Sequence, residues 1–165
     1  MDAAPFLAEV GRHLNAIHLE AVLIGNAAAA LQGAPVTTVD FDFLFRKTPG
    51  NLTKLKRLAD ALGATVLRPY YPVSDLFRVV RDADGLQLDF MGTIHGVRSV
   101  AGVRARASII DVGGEAICVA SLADIIKSKR SARRPSDLAV LPILERALEQ
   151  ATQPPRATRR RSSGE

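Results

Sequence analysis

Three acidic side chains stand out because of their surroundings: Asp40 and Asp42 in Val39-Asp40-Phe41-Asp42-Phe43, and Asp89 in Leu86-Gln87-Leu88-Asp89-Phe90-Met91. In an extended chain, residues two apart face the same side. Asp40 and Asp42 are therefore expected to project together, with Cα atoms roughly 6.6 Å apart, while Val39, Phe41 and Phe43 face the core. Two adjacent carboxylates repel each other unless a cation lies between them. Mg²⁺ suits such a pair, because it takes one or two carboxylates plus phosphate oxygens at about 2.0–2.1 Å. Asp89, in an otherwise apolar strand, would be costly if buried alone. Beside the Asp40/Asp42 strand it completes a three-carboxylate site for two ions, and ions about 3.5–4 Å apart stabilise a phosphoryl displacement.

The segment before the pair points the same way. Leu23-Ile24-Gly25-Asn26 reads as a strand running into a helix. Gly25 lets the backbone approach a ligand closely. The amides that follow suit a phosphate, and Asn26 can add a side-chain hydrogen bond.

These residues need a scaffold. The apolar spacing predicts helices over 6–18, 26–32 (opened by an Asn26 cap and closed by Gly33) and 51–62 (opened by Asn51 and closed by Gly63). Strands are expected over 21–24, 38–45 and 64–67, with Pro69 and Pro72 in an irregular connection. Two further runs, 76–81 and 86–91, flank Asp82-Ala83-Asp84-Gly85, a hairpin signal. A second pair is expected over 105–110 and 115–119. Ser121 and Asp124 open a helix with Leu122, Ile125 and Ile126 on its buried face. A last helix begins at Pro135-Ser136-Asp137, where Pro142 should kink it or delay its start. The order implies an α+β domain: a mixed β-sheet with helices packed on it, over 1–150. Residues 151–165 read as a disordered basic tail.

This set of motifs resembles the nucleotidyltransferase superfamily, the fold of the polymerase-beta palm. Gly25-Asn26 matches its strand–helix junction, Asp40-Phe41-Asp42 its Asp-x-Asp, and Asp89 its later carboxylate. More narrowly it is similar to the small bacterial group related to the AbiEii/AbiGii toxins. There the matching stretches are Gly25-Asn26-Ala27-Ala28, Gly33, Thr38-Val39-Asp40-Phe41-Asp42, and the late pattern Leu122, Ile125, Ile126, Lys129, Arg134 and Asp137. Asn26 stands where the family has Gly or Ser, and Val36 where it often has Arg.

The resemblance implies a catalytic set of Asp40, Asp42, Asp89 and Lys129. Asp40, Asp42 and Asp89 would bind Mg²⁺, with Mn²⁺ as a substitute; Asp89 would ligate the second ion or act as general base. Gly25, Asn26, Thr38, Lys129, Arg134 and Asp137 would contact the nucleotide, Lys129 neutralising triphosphate charge. The implied reaction moves a nucleoside monophosphate from an NTP to a hydroxyl of RNA (a tRNA end, for example), a protein or a small molecule. A toxin role with a cognate antitoxin is one form of it. The competing reading is a non-catalytic module that keeps the fold and binds nucleic acid or a protein partner.

Bulk properties narrow the classes. The 165 residues suit one domain, and 47 % hydrophobic content without Trp means a core of Leu, Val, Ile and Ala. The single cysteine, Cys118, cannot form an internal disulfide and is expected to be a buried small hydrophobe. Eight of the 22 basic residues fall in two clusters: Lys129, Arg130, Arg133 and Arg134, and tail residues Arg156, Arg159, Arg160 and Arg161. The rest is mildly acidic, so a basic partner surface would be local. No apolar run approaches the roughly 18 residues of a membrane span, and the first residues lack a signal-peptide pattern. A cytoplasmic location is expected.

Overall fold

The computed structural model describes residues 3–38, 40–68 and 75–153. In chain order the elements are α1 (Ala4–Ala16), β1 (Ala21–Ile24), α2 (Gly25–Leu31), β2 (Phe41–Phe45), α3 (Pro49–Leu62), β3 (Thr65–Leu67), β4 (Phe77–Arg81), β5 (Leu86–Met91), α4 (Val100–Arg106), β6 (Ser108–Val112), β7 (Glu115–Val119), α5 (Leu122–Ala132) and α6 (Pro135–Thr152). The seven strands form one mixed sheet in the order β3-β4-β5-β2-β1-β7-β6. β2 pairs with β5 in parallel and with β1 antiparallel. The expected α+β class is the one observed.

Strand β2, at the sheet centre, is buried at nearly every position. The Phe43 and Phe90 rings stack at 5.1 Å, and Phe45 meets Phe90 edge-on at 5.7 Å. Helix α1 packs on β7 and α3, while α2 packs on β1, β2 and α5. Leu122, Ile125 and Ile126 of α5 are buried, as their spacing predicts. Both hairpins form: Arg81 pairs with Leu86, and Val112 with Glu115. Among the described residues no helix is long and apolar enough to cross a membrane.

Several boundaries differ from the sequence expectation, each for a local reason. The strand expected from residue 38 begins at Phe41. The Thr38 hydroxyl donates to the Asp40 carbonyl at 2.7 Å and accepts from the Asp40 amide at 3.3 Å, which takes this backbone out of the ladder. Helix α2 starts at Gly25 with Ile24 as its cap, so Asn26 does not cap it. Helix α3 starts at Pro49, whose fixed φ suits a first turn. Thr48 is the cap, accepting from the Asn51 amide at 3.2 Å, and the Asn51 side chain instead donates to the Arg46 carbonyl. The strand expected over 105–110 is the end of a helix followed by β6. Ser99 caps that helix at the Gly102 amide, and Val103 anchors it in the core. Helix α6 begins at Pro135, so Pro142 does not delay it. Leu138, whose carbonyl loses its partner to Pro142, sits on the exposed side where water can take over. The last turn of α6 reaches Thr152, past the expected boundary at 150. The rest of the expected tail, and Pro69 and Pro72, lie outside the described residues. Cys118 is half-buried on β7, and burial pushes its thiol pKa up.

Candidate active site

Strand register builds the site. β1 ends at Ile24 and the chain turns through Gly25 at φ +69° into α2. Antiparallel pairing sets Asp42 opposite Ile24, parallel pairing sets Asp89 opposite Asp42, and the β4–β5 hairpin sets Arg78 opposite Asp89. Asp42, Asp89 and Arg78 thus form one rung across three neighbouring strands, and all three line the same cleft. Like charges directly opposite on paired strands destabilise a sheet; here a guanidinium flanks the pair. Arg78 Nε donates to Asp89 Oδ1 at 2.9 Å and Nη2 to Oδ2 at 3.2 Å. Asp89 is only 8 % exposed.

Asp42 has the opposite environment. Its carboxyl pKa is pushed up to about 6, first by burial, then by the charges of Asp89 and Asp40; Lys129 and Arg134 only partly offset this. No hydrogen bond to its carboxylate is found among the described residues. Asp40 is exposed, one residue before β2 rather than within it, so it shares the cleft with Asp42 but not the ladder.

Helices α5 and α6 bring the cations. Asp137, 2 % exposed, accepts from Arg134 Nε at 2.7 Å and from Lys129 Nζ at 3.4 Å. It also accepts from the Arg134 amide at 3.3 Å, closing the first turn of α6. Burial alone would raise the Asp137 pKa; the Arg134 hydrogen bond and the two nearby cations hold it below the ordinary carboxylate value. Asp137 thus pairs with both Lys129 and Arg134. The basic cluster is less basic than its composition implies, since Arg130 pairs with Glu145 as well.

All the residues singled out from the sequence line one cleft of about 760 Å³: Gly25, Asn26, Thr38, Asp40, Asp42, Asp89, Lys129, Arg134 and Asp137. Asn26 Oδ1 is buried and finds no hydrogen-bond partner among the described residues. Sequence reasoning missed Arg78 and His95, which line the cleft too. Arg78 was within reach: counting back from the Asp82–Gly85 turn puts residue 78 opposite residue 89. Nothing local to His95 marks it; the β5–α4 loop carries it there.

Among the described residues no three His, Cys, Asp or Glu side chains converge closely enough to cage a metal ion. The donor set does fit Mg²⁺ in its usual protein setting, two carboxylates with substrate phosphates completing the shell. Asp42, its pKa raised to about 6 by burial and by the Asp89 and Asp40 charges, is a carboxylate that a cation would relieve.

No family model matches the sequence, and no curated protein matches it. Solved structures do. The antibiotic-resistance factor ANT(2'')-Ia superposes with a TM-score of 0.65 at 14 % identity, covering 90 % of this chain and 86 % of that one. A crystal structure of the same protein holds adenylyl-2''-tobramycin. The lincosamide antibiotic adenylyltransferase LnuA, with lincomycin bound, gives 0.61 at 11 % identity, covering 88 % and 96 %. An antigenic nucleotidyltransferase-like protein from Paracoccidioides brasiliensis gives 0.52 at 14 % identity, covering 91 % and 87 %. The chain has the nucleotidyltransferase fold.

Proposed function

We propose that this protein is a Mg²⁺-dependent nucleotidyltransferase that moves a nucleoside monophosphate from an NTP to the hydroxyl of a small-molecule acceptor. The observation that carries the reading is the register of Asp42 and Asp89 across β2 and β5, opening on the same cleft as Gly25, Lys129 and Arg134.

Asp40 and Asp42 would hold the ion. The chemistry supplied by the ion when bound is charge neutralisation at the α-phosphoryl group. Gly25 leaves room for the triphosphate, and Asn26 and Thr38 offer side-chain hydrogen bonds beside it. Lys129 and Arg134 face the phosphates that become pyrophosphate. The acceptor hydroxyl attacks the α-phosphorus: the new O–P bond forms and the bond to the β-phosphate oxygen breaks. Pyrophosphate leaves with that electron pair, and the hydroxyl proton passes to Asp89. A small acceptor suits a concave cleft, whereas an RNA acceptor would call for a continuous basic surface. Here Lys129, Arg130 and Arg134 are drawn into carboxylate pairs. ANT(2'')-Ia and LnuA, which act on or hold small antibiotics, lend support. The AbiEii/AbiGii-like pattern makes a toxin role the narrower alternative, read out as growth arrest on expression.

The test is incubation with α-labelled NTPs, Mg²⁺ and a panel of hydroxylated small molecules, alongside cell RNA. Labelled small-molecule product from wild type, absent with Asp42→Ala, supports the proposal. Equal labelling by both, or labelling of RNA alone, overturns it.

A further inference from the structure

Arg78 belongs to none of the motifs in the sequence, yet it makes a bidentate contact in the cleft. Its fork binds both oxygens of Asp89, 2.9 Å from Nε to Oδ1 and 3.2 Å from Nη2 to Oδ2. Such bidentate pairs fix a carboxylate's orientation as well as neutralise it. Both partners are set by the backbone, because Arg78 and Asp89 are direct cross-strand neighbours. Asp89 is nearly sealed from solvent and Arg78 is two-thirds covered, so the pair is not a loose surface contact. On the other flank of Asp89 stands Asp42, which has no hydrogen-bond donor among the described residues. The rung therefore holds one carboxylate bound by a guanidinium and one whose charge Lys129 and Arg134 only partly offset.

We infer that Arg78 is a positioning residue: by occupying both oxygens of Asp89 it keeps that carboxylate out of the cation's coordination shell, leaves the ion to Asp40 and Asp42, and reserves Asp89 for the acceptor hydroxyl. This rests on the nucleotidyltransferase reading for the acceptor role, but the division of carboxylates is testable without any transfer reaction. A tethered Asp89 keeps outer lone pairs for a neutral hydroxyl, since a carboxylate accepts at about four sites, whereas the guanidinium charge beside it repels a cation. A freed Asp89, beside Asp42, would instead join the ion.

The experiment titrates the full-length protein with Mn²⁺ alone, followed by electron paramagnetic resonance of the free ion. Wild type, Arg78→Met, Arg78→Lys, Asp89→Asn and the Arg78→Met/Asp89→Asn double variant are compared, with circular dichroism confirming the fold. Arg78→Met should bind Mn²⁺ about tenfold tighter than wild type, because a positive charge beside the ion is lost and a carboxylate is freed to join it. That gain should vanish in the double variant, and Arg78→Lys should lie between. Asp89→Asn alone should stay within about twofold of wild type. If Asp89→Asn weakens Mn²⁺ binding tenfold or more, Asp89 is a ligand and the inference fails. It fails equally if Arg78→Met binds no tighter, or if wild type binds no Mn²⁺. Should Arg78→Met not fold, Arg78→Lys and Asp89→Asn decide the matter. The expected Mn²⁺ pattern without NTP-dependent labelling would sink the proposed reaction and leave the carboxylate division standing.

Discussion

Gly25 and Asp42 are in contact through an absence: a Cβ built on Gly25 would stand 3.0 Å from Asp42 Oδ2. Gly25 also holds φ at +69°, a region that costs other residues about 1–2 kcal/mol. Gly25→Ala therefore carries two penalties, backbone strain and displacement of the carboxylate beside it. We expect a melting temperature lower by roughly 2–8 °C, and Mn²⁺ affinity reduced at least tenfold in calorimetry. Unchanged Mn²⁺ binding in a folded variant would show that the close approach is incidental.

Asp42 itself sets function against stability. Burial and the facing Asp89 and Asp40 charges make its ionised form unfavourable. Without divalent cation, Asp42→Asn should raise the melting temperature at pH 7 by roughly 2–4 °C. The same variant should bind no Mn²⁺. A lower melting temperature would mean that the carboxylate contributes to the fold.

The pH dependence follows in sign. A carboxyl raised from 3.8 to about 6 favours the folded state when protonated. Its contribution is complete below pH 3.8 and is lost as pH rises through about 6. Cation binding runs the other way, because the ligand must be ionised. Mn²⁺ affinity should be flat above pH 7 and fall about tenfold per pH unit below 6. Titrations from pH 5 to 8 check this; a flat profile would take Asp42 out of the ligand set.

Away from the cleft, Arg81 ties three elements together. It reaches Glu9 of α1 at 2.7 and 3.0 Å, Asp84 of the hairpin turn at 2.7 Å and the Leu62 carbonyl that ends α3 at 3.0 Å. Its hydrogen bonds hold the Glu9 carboxyl below its ordinary pKa. Arg81→Ala should cost about 2 kcal/mol in urea unfolding, the range for hydrogen bonds to charged groups. Mn²⁺ binding well below the melting point should be unaffected, since Arg81 does not line the cleft.

Much of the fold was legible where periodicity was strong. The β4–β5 hairpin follows from Asp84-Gly85 between two apolar runs, and α5 from Ser121 and the Leu122, Ile125, Ile126 stripe. The errors came where a side chain competed with the backbone pattern. Thr38 holds Asp40 out of β2, Thr48 takes the cap expected of Asn51, and Ser99 opens a short helix that composition alone does not mark. The residues around the cleft were legible as types. Their division of labour was not, because it depends on which partner each carboxylate meets.

The sequence by itself determined that Asp42 and Asp89 lie in apolar strands, that Gly25 interrupts a strand–helix junction, and that Lys129, Arg134 and Asp137 fall near the junction of two late helices. Those are local facts, written in spacing and side-chain type. Only the tertiary structure decided that Asp89 is held by Arg78, that Asp137 pairs with the two cations, and that Asp42 has no hydrogen-bond donor among the described residues. Register across non-adjacent strands sets those contacts, and in a half-buried cleft the nearest opposite charge governs what a carboxylate can do.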